Sequence, residues 1–205
     1  MRVQERFLEM SPPNLDEVRE ALSCVVRDAD RAKDIVGRVR DHIKKEPPRR
    51  ELFDLKEAAS EVIAMVRSAI AKNGVRVHTR LVDVPVPVQG DRVQLQQVVE
   101  NLILNAVDAM NSIEKGAREL SIRIERGQAG GGVLVEVGDS GPGIDPANQE
   151  RVFEPFYTTK TSGVGLGLSI CRSIVEGHGG KLWVSANEPR GALFQFTLPA
   201  AQEAS

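Results

Sequence analysis

The stretch ENLILNAVDAM, residues 100–110, decides how the chain is read. Leu102, Val107 and Met110 fall on one stripe, so the segment predicts an amphipathic helix. Against that pattern stand Asn101 and Asn105. An asparagine amide competes for backbone hydrogen bonds and is a mediocre helix former, so two within one helix need a reason. Four positions are about one turn, which puts both amides on one face. What flanks this helix sets the fold, and what the two amides face sets the chemistry.

Beyond Arg50 the flanks alternate between helix and strand patterns. Upstream, DLKEAASEVIAMVRSAIAKNG reads as an amphipathic helix opened by Asp54 and closed by an Asn-Gly pair. VRVHTRLV alternates as a strand, and DVPVPVQGD reads as a proline-bearing loop into the asparagine helix. Downstream, LSIRIER puts Leu120, Ile122 and Ile124 on one face and GVLVEVGD does the same with Val133, Val135 and Val137. The flexible link GQAGGG between them suits a hairpin. GKLWVSAN and GALFQFTLP form a second strand pair. The expected fold class is α+β, a two-layer sandwich of helices on a mainly antiparallel mixed sheet.

Before Arg50 the pattern differs. Leu15, Val18, Leu22, Val25, Ala29, Ala32, Val36, Val39 and Ile43 alternate steps of three and four, a heptad seam that predicts a long helix packing against partner helices. Asn14 is placed to cap it, with Glu17 three positions on as in a capping box. The prolines of KKEPPRR stop it. VQERFLEM, ahead of the SPPN break, reads either as the end of a preceding helix or as a frayed tail. The expected organisation is a helical region at 1–50, a domain at 51–200 and a tail at 201–205.

Composition narrows the classes. A hydrophobic content of 41% over 205 residues is enough for a core. With 27 basic and 29 acidic residues, net charge −2, nothing draws the chain broadly to nucleic acid or an anionic membrane. It has no run of about 18 apolar residues and no signal-peptide core, so a cytoplasmic fragment with no membrane segment of its own is expected, whatever anchors a parent protein. Cys24 and Cys171 lack metal-ligand or redox spacing and read as reduced structural thiols.

Three further stretches bear on chemistry. GDSGPGID, residues 138–145, follows a strand and places Asp139 before Gly141 and Gly143. The carboxylate can accept from an amino group while the glycines admit a flat ligand; taken alone, a tight surface turn with a capping aspartate has the same sequence. SGVGLGLSI, residues 162–170, brings Gly163, Gly165 and Gly167 into a helix, and such an approach offers free amides to phosphate. It is not the dinucleotide fingerprint, because the polar run YTTKTS stands where a strand should precede it. Between them, RVFEPFYTTKTSG resembles a lid: Phe153 and Phe156 are expected to anchor a small, polar segment from Thr158 to Gly163. Lys160 reads either as a phosphate contact or as a solvated loop lysine.

In their order, NLILNA, DSGPG, FEPFYT and GVGLGL resemble the N box, glycine boxes and F box of the ATP-binding domain of sensor histidine kinases. GALFQFTLP resembles that domain's closing strand. The wider GHKL superfamily, with the Bergerat fold, includes gyrase, the heat-shock chaperone ATPase and the mismatch-repair ATPase. The resemblance implies ATP and Mg2+ as cofactors, Asn105 as the metal ligand and Asn101 facing the same cavity. It implies that Asp139 receives the adenine amino group above a floor of Gly141 and Gly143, with Ile144 as a further ATP-binding residue. It adds Phe156, Tyr157, Thr158, Thr159, Lys160, Gly163, Val164, Gly165, Leu166, Gly167 and Leu168 as ATP-binding residues. Hydrolytic relatives carry a glutamate one turn before the magnesium asparagine; here Asn101 stands there, and an amide cannot act as a general base. That favours phosphoryl transfer. The heptad helix then resembles the second helix of a dimerisation hairpin, implying a homodimer through residues 14–46. The first helix with the acceptor histidine is missing, since His42, His78 and His178 lack its context. The implied partners are an acceptor-bearing kinase hairpin and a response regulator receiver domain. A fragment unable to phosphorylate itself is the expectation; a GHKL-type ATPase and an acceptor-less nucleotide-binding dimerisation module are the alternatives.

Overall fold

The structure, a computed structural model, describes residues 50–113, 116–127, 132–160 and 163–201, and eight positions between Asp16 and Val26. Those eight are helical, with Leu22 and Val25 exposed. The rest of the heptad, the Asn14 cap, the VQERFLEM stub, Cys24 and His42 lie outside the described residues, as do residues 202–205 of the tail. The chain divides into two units, Met1–Glu46 and Pro47–Ser205.

Within the second unit the first element is a two-stranded ribbon of β1 (Glu51–Asp54) and β3 (Pro87–Gly90), antiparallel with Phe53 opposite Val88. This corrects the loop expected at DVPVPVQGD. Val86 and Val88 are buried while Pro87 between them is exposed. A proline that begins a strand withholds no N–H the ladder needs, so two prolines did not prevent pairing.

Between the ribbon strands lies helix α1 (Leu55–Lys72). Asp54 caps it through a 3.0 Å bond from Lys56 N, and the same Oδ1 accepts from Val86 N at 2.9 Å. One carboxylate thus caps the helix and ties its start to the strand β3 approach. The stripe Leu55, Ala58, Ala59, Val62, Val66 and Ile70 is buried. Helix α2 (Arg92–Met110) is capped by Asp91 through Gln94 N and buries Leu95, Val98, Val99, Leu102, Ile103, Ala106, Val107 and Met110. So wide an apolar face belongs to a helix covered on more than one side. Gln96 Nε2 donates to Ala58 O and Glu61 Oε2 and stitches α2 to α1.

The main sheet has the order β2–β4–β5–β7–β6, from β2 (Arg76–Leu81), β4 (Glu119–Arg126), β5 (Val133–Asp139), β6 (Lys181–Ala186) and β7 (Ala192–Leu198). Both expected hairpins form, with Ile122 opposite Val137 and Val184 opposite Phe194. Among the described strands only β2 and β4 run parallel. Leu120, Ile122, Ile124, Val135, Val137, Leu182, Phe194 and Phe196 are buried on the face that meets the helices. The opposite face is polar: Trp183 Nε1 donates to Gln195 Oε1, Gln195 Nε2 to Glu136, and Arg123 pairs with Glu136. A sheet apolar on one side only needs a single helical layer, which gives the expected two-layer α+β sandwich.

Helix α3 (Gly167–Gly177) completes that layer and buries Ile170, Cys171 and Val175. Two short 3-10 turns, Pro146–Asn148 and Arg151–Phe153, lead toward it from β5. Among the described residues no helix is long and apolar enough to cross a membrane.

Candidate functional site

Helix α2 carries the two asparagines at its middle, and they do share a face. A methyl group placed on Gly167 would lie 3.5 Å from Asn101 Oδ1 and 4.0 Å from Asn105 Nδ2, so both amides face the first residue of α3. Asn101 also answers the helix-propensity problem locally, since its Nδ2 donates to Gln97 O one turn back at 3.0 Å. Its oxygen accepts no hydrogen bond among the described residues. Helix α3 begins at Leu166–Gly167 with no side-chain cap among the described residues, and the first amides of a helix have no partner within it.

Asn105 Oδ1 accepts from Lys160 Nζ at 3.3 Å, and the same ammonium pairs with Asp108 Oδ2 at 2.9 Å. The lid segment is thereby hooked to α2. Phe153 is buried against Phe194, ring centroids 6.3 Å apart and edge-to-face, with the Arg172 guanidinium 4.0 Å over its ring. Phe156 is the exception to the expected pair of anchors. Its φ is +68°, its N–H donates to Gly165 O at 2.8 Å, and the residue is 69% exposed. The chain reverses there to meet Gly165, where any Cβ would come 2.5 Å from the Phe156 carbonyl carbon. That reversal turns the ring outward.

The other lid residues are spread along the same segment. Tyr157 is half-buried beneath Arg151, whose guanidinium lies 4.9 Å from its ring centroid. Thr158, Thr159 and Lys160 are exposed, and Thr158 Oγ1 accepts from Lys160 N. Gly163 lies against Thr158, Leu166 is buried, and Val164, Gly165, Gly167 and Leu168 are half-buried.

Asp139 ends β5 and is only 2% exposed. Its Oδ1 accepts from Gly141 N at 2.7 Å and Ala192 N at 3.3 Å. Both protein bonds fall on that oxygen among the described residues, which leaves Oδ2 for a further donor. Burial pushes the carboxyl group above its ordinary range, and the two backbone bonds oppose that rise. Gly141 packs on α2, its would-be Cβ 3.4 Å from Ala109 Cβ, one turn beyond Asn105. Gly143 lies against Gly191 O, and Ile144 packs on the core. Helix α2 is therefore the common wall of both halves of the site.

Four residues missed in the sequence support Asp139 and Lys160. Asn187 Nδ2 donates to the Asp139 carbonyl at 2.8 Å, Ala192 N–H bonds its carboxylate, Gly191 lies directly on its backbone, and Asp108 holds Lys160. PRG before a strand marks a turn. Nothing in it shows which strand end that turn abuts. His78 is exposed on β2, and Cys171 is a free, buried thiol pushed up to about 12 by burial, as a structural role requires.

A helical layer over a mixed sheet, with an asparagine pair facing a glycine-led helix, is the arrangement expected of an ATP-binding domain of the histidine kinase type. The profile of histidine kinase-, DNA gyrase B- and HSP90-like ATPases matches residues 90–202. The chain belongs to that family, and membership implies ATP binding. The sensor histidine kinase TmoS of Ectopseudomonas mendocina is 35% identical over 196 residues, 96% of this chain and 20% of TmoS. The chain thus spans about a fifth of that relative's length. The catalytic domain of histidine kinase ThkA superposes with a TM-score of 0.66 at 36% identity, covering 74% of this chain and 95% of that one. ThkA in complex with the response regulator TrrA gives a TM-score of 0.76 at 29% identity, over 96% of this chain and 55% of that one.

Proposed function

We propose that this chain is the catalytic part of a sensor histidine kinase, which binds Mg-ATP and passes the terminal phosphoryl group to a histidine on a dimerisation hairpin. One observation carries this: Asn101 and Asn105 both face the uncapped start of α3 at Gly167. An amide oxygen is a hard ligand of the kind magnesium accepts, and Asn105 Oδ1 already faces a cation, the Lys160 ammonium, at 3.3 Å. Asn105 would hold the metal, whose bound form neutralises charge on the phosphates. The first amides of α3, freed by Gly165 and Gly167, would take phosphate oxygens. Lys160 is close enough to α2 to join them. Asp139 Oδ2 would accept the adenine amino group, with Gly141, Gly143 and Ile144 beneath the base.

Transfer is favoured over hydrolysis because Asn101 cannot take a proton from water. Glu100 is its neighbour, but a helix step of about 100° turns it off that face. The acceptor hairpin and a response regulator receiver domain are the proposed partners, the latter supported by the ThkA–TrrA complex. Homodimerisation through residues 14–46 is supported by the heptad seam.

Incubation with radiolabelled ATP and magnesium, with and without a separate acceptor-bearing hairpin, tests the assignment. Label should reach the hairpin and not this chain, and Asn105→Asp should change the magnesium dependence. Steady phosphate release that stops on altering Asn101, with no labelled hairpin, would instead mark an ATPase. Binding of ATP without release or transfer would mark a nucleotide-sensing module.

A further inference from the structure

His178 caps the end of α3 and is 5% exposed, although no step proposed above uses it. Its Nε2 accepts the Asp91 N–H at 2.9 Å, and its Nδ1 lies 2.7 Å from Ile174 O. A ring nitrogen that accepts an amide proton carries none itself, so the imidazole is neutral and Nδ1–H donates to the Ile174 carbonyl. Asp91 is the residue that caps α2. The ring therefore joins the end of α3 to the beginning of α2. Gly90 makes room for it: a Cβ there would stand 2.5 Å from His178 Cδ2 and 3.0 Å from Nε2.

The site lies at the other end of α3, against the middle of α2. From Asp91 to Asn101 along α2 is about 15 Å, and to Asn105 about 21 Å, at 1.5 Å per residue. From His178 back to Gly167 along α3 is about 17 Å. With the two helices joined at Asp91 and His178, Gly167 falls between the levels of Asn101 and Asn105, which is where its contacts place it. A slip of α3 by one residue moves Gly167 by about 1.5 Å, enough to spoil a geometry that phosphate contacts require.

We infer that His178 is a positioning residue for the nucleotide site, its neutral imidazole setting the register of α3 along α2 through the Asp91 amide. The inference rests on the nucleotide reading proposed above. It separates two hydrogen bonds that ordinary packing would not separate. In His178→Asn the side-chain amide can replace Nδ1–H toward Ile174 O but offers Asp91 no acceptor. In His178→Gln the side-chain oxygen reaches the position of Nε2 and restores that acceptor.

The test is calorimetry of Mg-ADP binding to the full chain, with thermal melting of each variant alongside. His178→Asn should bind about tenfold more weakly than the unaltered chain, and His178→Gln within about threefold of it. Equal affinity of the two variants, whether both unchanged or both weakened, overturns the inference. If His178→Asn does not fold, Gly90→Ala decides, because its Cβ displaces the ring from the other side. It should weaken binding about tenfold, and unchanged affinity overturns the inference. No binding by the unaltered chain would overturn the nucleotide reading itself, whatever the variants do.

Discussion

A carboxyl group buried as deeply as Asp139 keeps its proton to higher pH than an exposed one. The folded protein therefore binds that proton more tightly than the unfolded chain, and loses stability as pH rises from 3.8 through the raised value. Raising the pH above 3.8 therefore costs the fold free energy, at a position that the proposed function needs as an acceptor. Asp139→Asn keeps an oxygen for the Gly141 and Ala192 amides and removes the charge. It should melt higher than the parent at pH 7, with the gap closing as pH falls toward 3.8. ATP affinity should drop about tenfold or more, since the amide offers a donor where the proposed adenine contact needs an acceptor. Melting curves that differ equally at both pH values would show that ionisation is not the cause. Asn101, Asn105 and Asp139 were all legible as residues of interest, because each is a polar side chain set against an apolar pattern. Asn187 and Gly191 were not, since an asparagine and a glycine near a turn are unremarkable until the strand beside them is known.

Elements were legible where periodicity was unbroken. The two hairpins follow from alternation with period two, and the α1 cap from Asp54 ahead of an apolar stripe, whereas the Asp91 cap of α2 emerged only in the structure. The β1–β3 ribbon was hidden because prolines at 85 and 87 mimic a loop, while pairing depends on a partner more than thirty residues away. The same distance dependence governs the turn before β7. Gly191 has φ +110° and lies on the Asp139 backbone, so Gly191→Ala combines backbone strain with a clash. It should cost about 3 kcal/mol or more in denaturant unfolding. Gly74 has φ +65° and open space around it, and Gly74→Ala should cost only about 1–2 kcal/mol. Equal costs would mean that the Gly191 contact yields easily.

For the molecule as a whole, the catalytic unit has its own core, running from Phe53 to Leu198 across both layers. Residues 47–205 expressed alone should unfold in one cooperative transition and bind Mg-ATP as the full chain does. If the heptad region provides the dimer, light scattering should give a monomer for 47–205 and a dimer for the full chain. A monomer in both cases would remove the dimer proposal. By itself the sequence determined the two-layer class, helices α1 to α3 and the hairpins, and the ordered boxes, because apolar period, caps and glycine spacing are local properties of the chain. Only the tertiary structure decided the parallel pairing of β2 with β4, the outward turn of Phe156, the packing of Gly191 on Asp139, and the imidazole joining α3 to α2. Each depends on groups distant in sequence meeting at hydrogen-bond or van der Waals range, which no local pattern encodes.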